Sequence, residues 1–159
     1  MAEAAFAVDR VRVEASGLLP RRHRLLAGET FLGEMAFGLG SSVSYIDAEG
    51  REMWMGRASL LPAAYRMWEG EQERASARVS LLGWQARVAF DGQTFLFRPI
   101  HLWQTVWELR DASDQLVLTV RRTGWGRAEI AVHGPVDADL LAFAYYLFII
   151  RRRAARRRH

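Results

Sequence analysis

The sequence predicts a mainly β fold: a closed antiparallel barrel of about 12 strands around a buried hydrophobic C-terminal α-helix. Three observations support this prediction. Short β segments broken by turn residues recur along most of the chain, an apolar segment follows them near the C-terminus, and 159 residues is the length of one domain. We therefore expect a single barrel domain over residues 1–150 and an Arg-rich tail over residues 151–159.

The β segments recur roughly every ten residues, which is the spacing of all-β sandwiches and barrels. Most of them alternate apolar and polar residues and are separated by turn residues, mainly Gly and Asp. The candidate strands are 11–15, 23–27, 30–37, 43–47, 52–58, 64–69, 73–80, 86–90, 93–98, 105–110, 115–122 and 128–133.

Two hairpins have a register that their turns predict. The dipeptide Asp91-Gly92 suits a two-residue type I′ turn, in which both residues adopt positive φ. The predicted pairs of this hairpin are Phe90–Gln93, Val88–Phe95 and Ala86–Phe97. The loop 111–114 predicts a second hairpin, in which Leu109 pairs with Leu116 and Trp107 pairs with Leu118. Each register places the apolar side chains of its hairpin on one face.

The apolar segment, residues 140–150, contains eleven consecutive apolar or aromatic residues and no polar face. A helix that is apolar all round must be surrounded by protein or lipid, and at ~1.5 Å per residue this one spans about half of a bilayer's hydrocarbon core. We therefore predict a buried helix over residues 138–150, with Asp137 as its cap and Asp139 in its first turn. Its predicted core residues are Leu140, Leu141, Phe143, Tyr145, Leu147, Phe148 and Ile149.

The apolar faces of the strands and the apolar helix can be buried against each other. Amphipathic strands must bury their apolar face against another element, and an apolar helix must be enclosed by other parts of the protein. Side chains alone fill a barrel of about eight strands, whereas a larger barrel has room for a central element. We therefore predict that the sheet closes around the helix.

Together these features resemble the tubby C-terminal-like superfamily, which includes the LURP-one-related proteins and the phospholipid scramblases. The resemblance rests on the hairpins, on the similar turns at 47–50 and 111–114, on the basic pair at 121–122 before Gly124-Trp125-Gly126, and on the apolar C-terminal helix. It covers residues 11–150 and implies a closed barrel that encloses a hydrophobic helix.

For function, the resemblance implies an interaction with membrane lipid, although most bacterial relatives have no assigned activity. Tubby domains bind phosphoinositides through basic surface residues, and scramblases act on membrane lipids with calcium. No acidic segment of this chain resembles the scramblase calcium segment, and the chain has no cysteine to carry palmitate. The resemblance therefore does not imply calcium-dependent scrambling.

The composition indicates the cellular compartment and argues against several kinds of site. The absence of cysteine excludes disulfides and thiolate metal sites and indicates a reducing, intracellular compartment. The N-terminal residues lack the basic and long apolar regions of a secretory signal, so we expect a cytoplasmic protein, peripheral at the inner membrane surface if its tail binds lipid. The four His residues are scattered, so we expect neither a metal site nor a cofactor. All 22 basic residues are Arg, which with the many Ala indicates a bacterial gene rich in G and C.

The Arg-rich tail is the first candidate for a lipid- or anion-binding site. One interpretation is a solvated terminus that caps the helix and keeps its apolar end soluble. Another is attachment to an anionic membrane surface, to which Arg contributes ~1 kcal/mol each. Nucleic acid is the least favoured partner because no known binding motif accompanies the charge. The tail candidates are Arg151, Arg152, Arg153, Arg156, Arg157 and Arg158.

A second basic cluster, Arg21, Arg22 and Arg24, surrounds His23. It is most simply a solvated loop or strand edge, and it would enlarge an anion-binding patch if the fold brought it near the tail.

The six Trp residues are expected mainly in the core, with Trp84 and Trp125, each beside a turn Gly, the best candidates for exposure.

The sequence carries no sign of catalysis. The glycines at 38 and 40 lack the third glycine and the following helix of a dinucleotide-binding loop.

The leading hypothesis is therefore a non-enzymatic barrel with anionic lipid as partner; any protein partner is unknown. One alternative is a tail-anchored membrane protein that uses the C-terminal helix, which the segment's short length and its two flanking Asp residues disfavour. The other is a small-ligand carrier or enzyme, which requires a deep polar cavity.

Overall fold

The computed structural model describes residues 5–6, 9–60, 63–80, 85–100 and 105–156, with side chains for the residues between 9 and 154. In this part of the chain there are 14 strands and one helix. The elements are β1 (Ala5–Phe6), β2 (Arg10–Ser16), β3 (Arg21–Ala27), β4 (Thr30–Phe37), β5 (Val43–Asp47), β6 (Glu52–Leu60), β7 (Ala63–Glu69), β8 (Gln72–Val79), β9 (Ala86–Phe90), β10 (Gln93–Pro99), β11 (Val106–Asp111), β12 (Leu116–Gly124), β13 (Arg127–Val132), β14 (Val136–Asp137) and α1 (Ala138–Arg156).

Strands β2 to β13 form a closed antiparallel barrel, as predicted. Each strand pairs with its neighbours in sequence, and β13 pairs with β2 to close the sheet. The short strands β1 and β14 form a separate pair. Alternation along most strands separates the faces: in β2, for example, Val11 and Val13 are buried while Arg10, Arg12 and Glu14 are exposed.

The two predicted hairpins have different outcomes. The first is confirmed: Asp91 and Gly92 have φ of 51° and 74°, and the predicted pairs of β9 and β10 all form. The register of the second is wrong by two residues. Leu109 pairs with Leu118 and Trp107 pairs with Val120.

The second hairpin differs because its loop is one residue shorter than expected and its strands contain a bulge. The backbone NH of Asp111 donates to the carbonyl of Gln115 at 3.0 Å, and Asp114 has a φ of 62°. This is a three-residue loop with a left-handed last residue. A register shift then follows next to Leu109, and it returns the apolar side chains of both strands to the core.

Helix α1 is buried inside the barrel, and its predicted start is confirmed. The Asp137 carboxylate accepts a hydrogen bond of 2.8 Å from the backbone NH of Asp139. The predicted core residues of α1 are buried, except that Ile149 is only half-buried. No helix in the described ranges is long and apolar enough to cross a membrane.

The predicted helix end is wrong. Helix α1 does not stop at Ile150 but continues to Arg156. Ala and Arg are good helix formers, and Arg side chains favour the negative end of the helix dipole, so the basic segment prolongs the helix. The first residues of the predicted tail are therefore part of α1.

The two ends of the barrel differ in chemistry. We call the end where α1 begins the entry end and the end where it emerges the exit end. The entry-end turns carry the acidic residues Glu29, Glu49, Glu71, Asp91 and Asp114. The exit-end connections in the described ranges, such as 17–20, 38–42 and 125–126, contain no acidic residue.

Candidate functional site

A cavity of about 210 Å³ lies at the exit end, between α1, the start of β3 and the β12–β13 connection. We call it the exit-end cavity. Its described lining contains no carboxylate but has five arginines, which we call the exit-end arginines. They are Arg21, Arg122, Arg127, Arg152 and Arg153.

Two exit-end arginines from the strands are held by backbone carbonyls. Arg21 Nη1 donates to the Gly17 carbonyl at 3.0 Å, and Arg122 Nε donates to the Gly124 carbonyl at 3.2 Å. The β12–β13 turn makes room for Arg21, because a Cβ at Gly126 would lie 2.8 Å from Arg21 Nη2. Gly126 also has a φ of +63°, which glycine adopts without strain.

Two more exit-end arginines project from the last turns of α1 and lie over aromatic rings. The Arg152 guanidinium carbon is 5.4 Å from the centre of the Phe148 ring, and that of Arg153 is 5.0 Å from the Phe37 ring. Arg153 Nη1 also donates to the Gly38 carbonyl at 3.2 Å. Ring faces and a backbone carbonyl therefore help to position these two cations.

His23 and Tyr145 line the inner part of the cavity. His23 Nδ1 is 2.5 Å from the Tyr145 hydroxyl, and the His23 side chain is buried. Its Nε2 is buried without a hydrogen-bond partner among the described residues, an arrangement that costs ~1–3 kcal/mol. Burial and the charges of Arg21 and Arg153 lower the pKa of His23 to about 4, so the ring is neutral at pH 7. Burial raises the pKa of Tyr145, which keeps its hydroxyl protonated.

The structure brings together only part of the predicted tail site. Arg152 and Arg153 line the cavity, whereas Arg151 is buried and is not part of its described lining. Arg156 lies in α1, but its side chain is outside the described part of the structure. Arg157 and Arg158 also lie outside the described residues.

The second basic cluster is divided between the two faces of β3. Arg21 joins the tail arginines in the cavity, as the sequence allowed. Arg22 and Arg24 face outward instead: Arg22 forms an ion pair of 3.1 Å with Glu34, and Arg24 lies over the Phe31 ring at 5.3 Å. The two-residue period of a strand separates them from Arg21.

Arg122 and Arg127 belong to the site although the sequence did not identify them as candidates. They flank the Trp125-Gly126 turn, and a turn with a cation on each side was the available signal. Their proximity to α1 depends on the closure of the barrel through β13 and β2, a contact between distant parts of the chain.

Large apolar side chains are exposed around the exit-end cavity. Leu18 and Trp125 are 91% and 88% exposed. A shallow depression of about 340 Å³ runs between Leu18, Leu19 and Leu39, with Arg21 and Arg153 at its border. We call the exposed apolar side chains of this end the apolar rim. They are Leu18, Leu19, Leu39, Leu60, Ile100 and Trp125.

The tryptophans divide between core and surface. Trp107 is buried, as the core interpretation predicts, while Trp68 is half-buried and Trp54 is exposed on the barrel wall. The predicted exposure of Trp125 is confirmed. Trp84 and Trp103 lie outside the described residues.

Two larger depressions lie elsewhere on the barrel. One, of about 570 Å³, is on the wall along β7 to β10. The other, of about 680 Å³, is at the entry end, where Arg51 and Arg74 pair with Glu69 and Asp139. The entry-end depression is therefore lined by both signs of charge, whereas the described lining of the exit-end cavity has five arginines and no carboxylate. In the part of the chain that the structure describes, no cluster of three or more His, Asp or Glu residues is arranged to hold a metal ion.

Comparisons with known proteins give no matching family model, no matching curated protein and no matching solved structure. The resemblance to the tubby C-terminal-like superfamily therefore stays a prediction.

Proposed function

We propose that this protein is a non-enzymatic, peripheral membrane-binding module whose exit end docks on anionic phospholipid. One observation carries the proposal: the exit-end arginines and the apolar rim share one end of the barrel, while acidic turns occupy the other end. Peripheral attachment to the cytoplasmic face of a membrane is the location that this function implies.

The two kinds of side chain supply the two contributions that stable membrane attachment requires. Apolar side chains of the rim enter the interfacial region, and fully burying a Leu contributes ~1.5–3 kcal/mol. Each arginine near an anionic surface adds ~1 kcal/mol. Leu18 and Leu39 lie beside Arg21 and Arg153, so both contributions act at the same place.

The charge distribution orients the barrel. Acidic turns at the entry end are repelled by an anionic surface, and arginines at the exit end are attracted to it. Helix α1 then lies roughly along the membrane normal, with its C-terminus toward the lipid. Docking is also favoured over anchoring by α1 because the apolar residues of α1 are already buried in the barrel.

Vesicle flotation tests the proposal. We expect the full chain to float with anionic vesicles and not with neutral vesicles, and to float less at physiological salt than at low salt. The double variant Arg21→Glu/Arg153→Glu is expected to lower the partition coefficient at least about 30-fold, since each reversal replaces an attraction of ~1 kcal/mol with a repulsion.

The matched control changes the same charge on the barrel wall. Arg12 and Arg66 are about half exposed and pair with Glu14 and Glu73. At physiological salt, where the Debye length is ~8 Å, the variant Arg12→Glu/Arg66→Glu is expected to float within about threefold of the wild type, because both residues lie within wall strands and not at the exit end. Equal losses in both double variants, or no flotation of the wild type, would contradict the proposal.

A further inference from the structure

We propose that a groove on the barrel wall binds an acidic segment of a protein partner, with Arg78 and Arg87 pairing with its carboxylates. The groove is the depression of about 570 Å³ along β7 to β10, and we call it the wall groove. The proposal goes beyond the proposed function, because it concerns another surface and a protein ligand. The lining residues that carry the argument are Ala64, Ser76, Arg78, Arg87, Ala89 and Leu96.

Two arginines lie directly opposite each other in the wall groove. Arg78 of β8 is the register partner of Arg87 of β9, and both side chains are exposed. Side chains in such positions have Cβ atoms ~5 Å apart, and like charges there destabilise a sheet. Among the strand pairs that the structure describes, no other places one arginine opposite another.

The two arginines have no anionic partner within the described part of the chain. Neither of them forms an ion pair or a side-chain hydrogen bond with another described residue. Elsewhere on the wall, by contrast, Arg98 lies opposite Glu108 and forms an ion pair of 2.8 Å with it. The guanidinium groups of Arg78 and Arg87 are therefore available to an external anion, and a bound anion reduces the repulsion between them.

Short side chains give the wall groove its depth. Ser76 and Ala89 are register partners in the row of outward-facing positions next to the arginine pair. Ala64 and the half-buried Leu96 flank the arginine pair on β7 and β10. The volume lies within the ~300–1,000 Å³ of typical ligand sites. The wall groove therefore offers two cations beside an apolar surface.

This chemistry matches an extended acidic segment. Carboxylates bind guanidinium groups through two parallel hydrogen bonds. In an extended chain, alternate side chains lie ~6.5–7 Å apart on one face, a spacing that the long side chains of two neighbouring arginines can meet. Because the barrel sheet is closed, a partner cannot add a strand to a free edge of it, so side chains must provide the recognition.

Nucleic acid fits the wall groove less well. Glu73 also lines the groove, and it pairs with Arg66 at 3.2 Å. Nucleic-acid binding depends on neutralising many phosphates along a strand. A groove that combines one arginine pair with a carboxylate suits a short acidic segment better than a long polyanion.

Fluorescence anisotropy with a labelled peptide tests the proposal on the full chain. The probe is the fluorescein-labelled pentapeptide Glu-Val-Glu-Val-Glu, and its uncharged analogue is Gln-Val-Gln-Val-Gln. In about 0.1 M salt, where charges beyond ~10 Å are largely screened, we expect saturable binding of the acidic peptide and at least about tenfold weaker binding of the analogue. The double variant Arg78→Gln/Arg87→Gln is expected to lower the affinity for the acidic peptide at least about tenfold.

Two matched controls separate the wall groove from general effects of charge and size. Arg12→Gln/Arg22→Gln removes the same charge at ion-paired wall positions and is expected to change the affinity less than about twofold. Ala89→Phe fills the exposed floor of the groove without changing its charge and is expected to lower the affinity at least about fivefold. Ala131→Phe, at an outward-facing position of β13, is expected to leave the affinity unchanged.

Thermal melts distinguish a binding role of the arginine pair from a structural one. Arg78→Gln/Arg87→Gln is expected to keep or raise the Tm, because it removes like charges from opposite positions of the sheet. A lower Tm would show that the pair stabilises the sheet and would overturn the proposal.

The binding results can also contradict the proposal. Absence of saturable binding, equal binding of the acidic and uncharged peptides, or equal losses in the groove and control variants would each overturn the wall groove as a peptide site. Tighter binding of a single-stranded oligonucleotide at the same arginines, or self-association of the chain that Arg78→Gln/Arg87→Gln abolishes, would assign another occupant and overturn the acidic segment. No lipid is present, so these outcomes are independent of the membrane docking that flotation tests.

Discussion

Phe143→Asp is expected to abolish soluble, folded protein. Phe143 is fully buried in the second turn of α1, and its ring lies 6.1 Å from that of Tyr146. Removing a buried Phe side chain costs ~3–5 kcal/mol, and an unpaired carboxylate in its place adds several more. A domain of this size is stabilised by only ~5–15 kcal/mol in total.

Two controls separate loss of the core from a general effect of substitution. Phe143→Leu is expected to remain folded, with a smaller loss of ~1–2 kcal/mol, because it keeps an apolar side chain of moderate size. Ile149→Asp, at a half-buried position of the same helix, is expected to cost less than Phe143→Asp. The soluble fraction after expression and thermal melts followed by circular dichroism measure these effects. A soluble Phe143→Asp variant that unfolds cooperatively, or a soluble chain truncated before Leu140, would contradict the central position of α1.

The second large effect is expected from Arg74→Met at the entry end. Asp139 is buried, and its carboxylate is 2.9 Å from Arg74 Nη2 and 3.5 Å from Arg51 Nη2. Burial, with the nearby Asp137 charge, raises the pKa of Asp139, while Arg51 and Arg74 oppose that rise. Without Arg74 the buried carboxylate loses its shorter ion pair, and we expect the protein to lose ~2–4 kcal/mol of stability at pH 7.

The pH dependence of this loss identifies its cause. In the variant, the pKa of Asp139 rises further above its value in the unfolded chain, so the folded state binds more protons and its stability deficit shrinks as the pH falls from 7 toward 5. Arg12→Met, which removes a half-exposed ion pair with Glu14, is expected to cost less than ~1 kcal/mol. Urea unfolding at several pH values measures both variants. A deficit no larger than that of Arg12→Met, or one that grows with acid, would contradict the role of Asp139.

Much of the fold follows from local sequence. Alternation and turn residues locate the barrel strands because both signals act within a few residues, and Asp91-Gly92 dictates its hairpin register through backbone conformation alone. The register of the 111–114 hairpin, in contrast, could not be predicted from the local sequence. The loop is one residue shorter than expected, and a bulge next to Leu109 shifts the pairs by one more residue.

The candidate site was less predictable than the fold. The basic character of the C-terminus identified Arg152 and Arg153, but not that α1 carries them to the mouth of the barrel. Arg122 and Arg127 reach the same cavity only because β12, β13, β2 and β3 are neighbours in the closed sheet. A site built from distant strands has no short sequence motif. The composition shows that the chain is rich in Arg, but only the tertiary structure determines which Arg side chains lie close together.

The most direct test of end-on docking places one environment-sensitive fluorophore at each end of the barrel. The chain has no cysteine, so Leu18→Cys at the exit end and Ser113→Cys at the entry end each give a single labelling site. Both side chains are exposed. With anionic vesicles, end-on docking predicts a blue shift for the label at position 18 and no shift at position 113. A shift at position 113, or equal shifts at both positions, would contradict docking through the exit end.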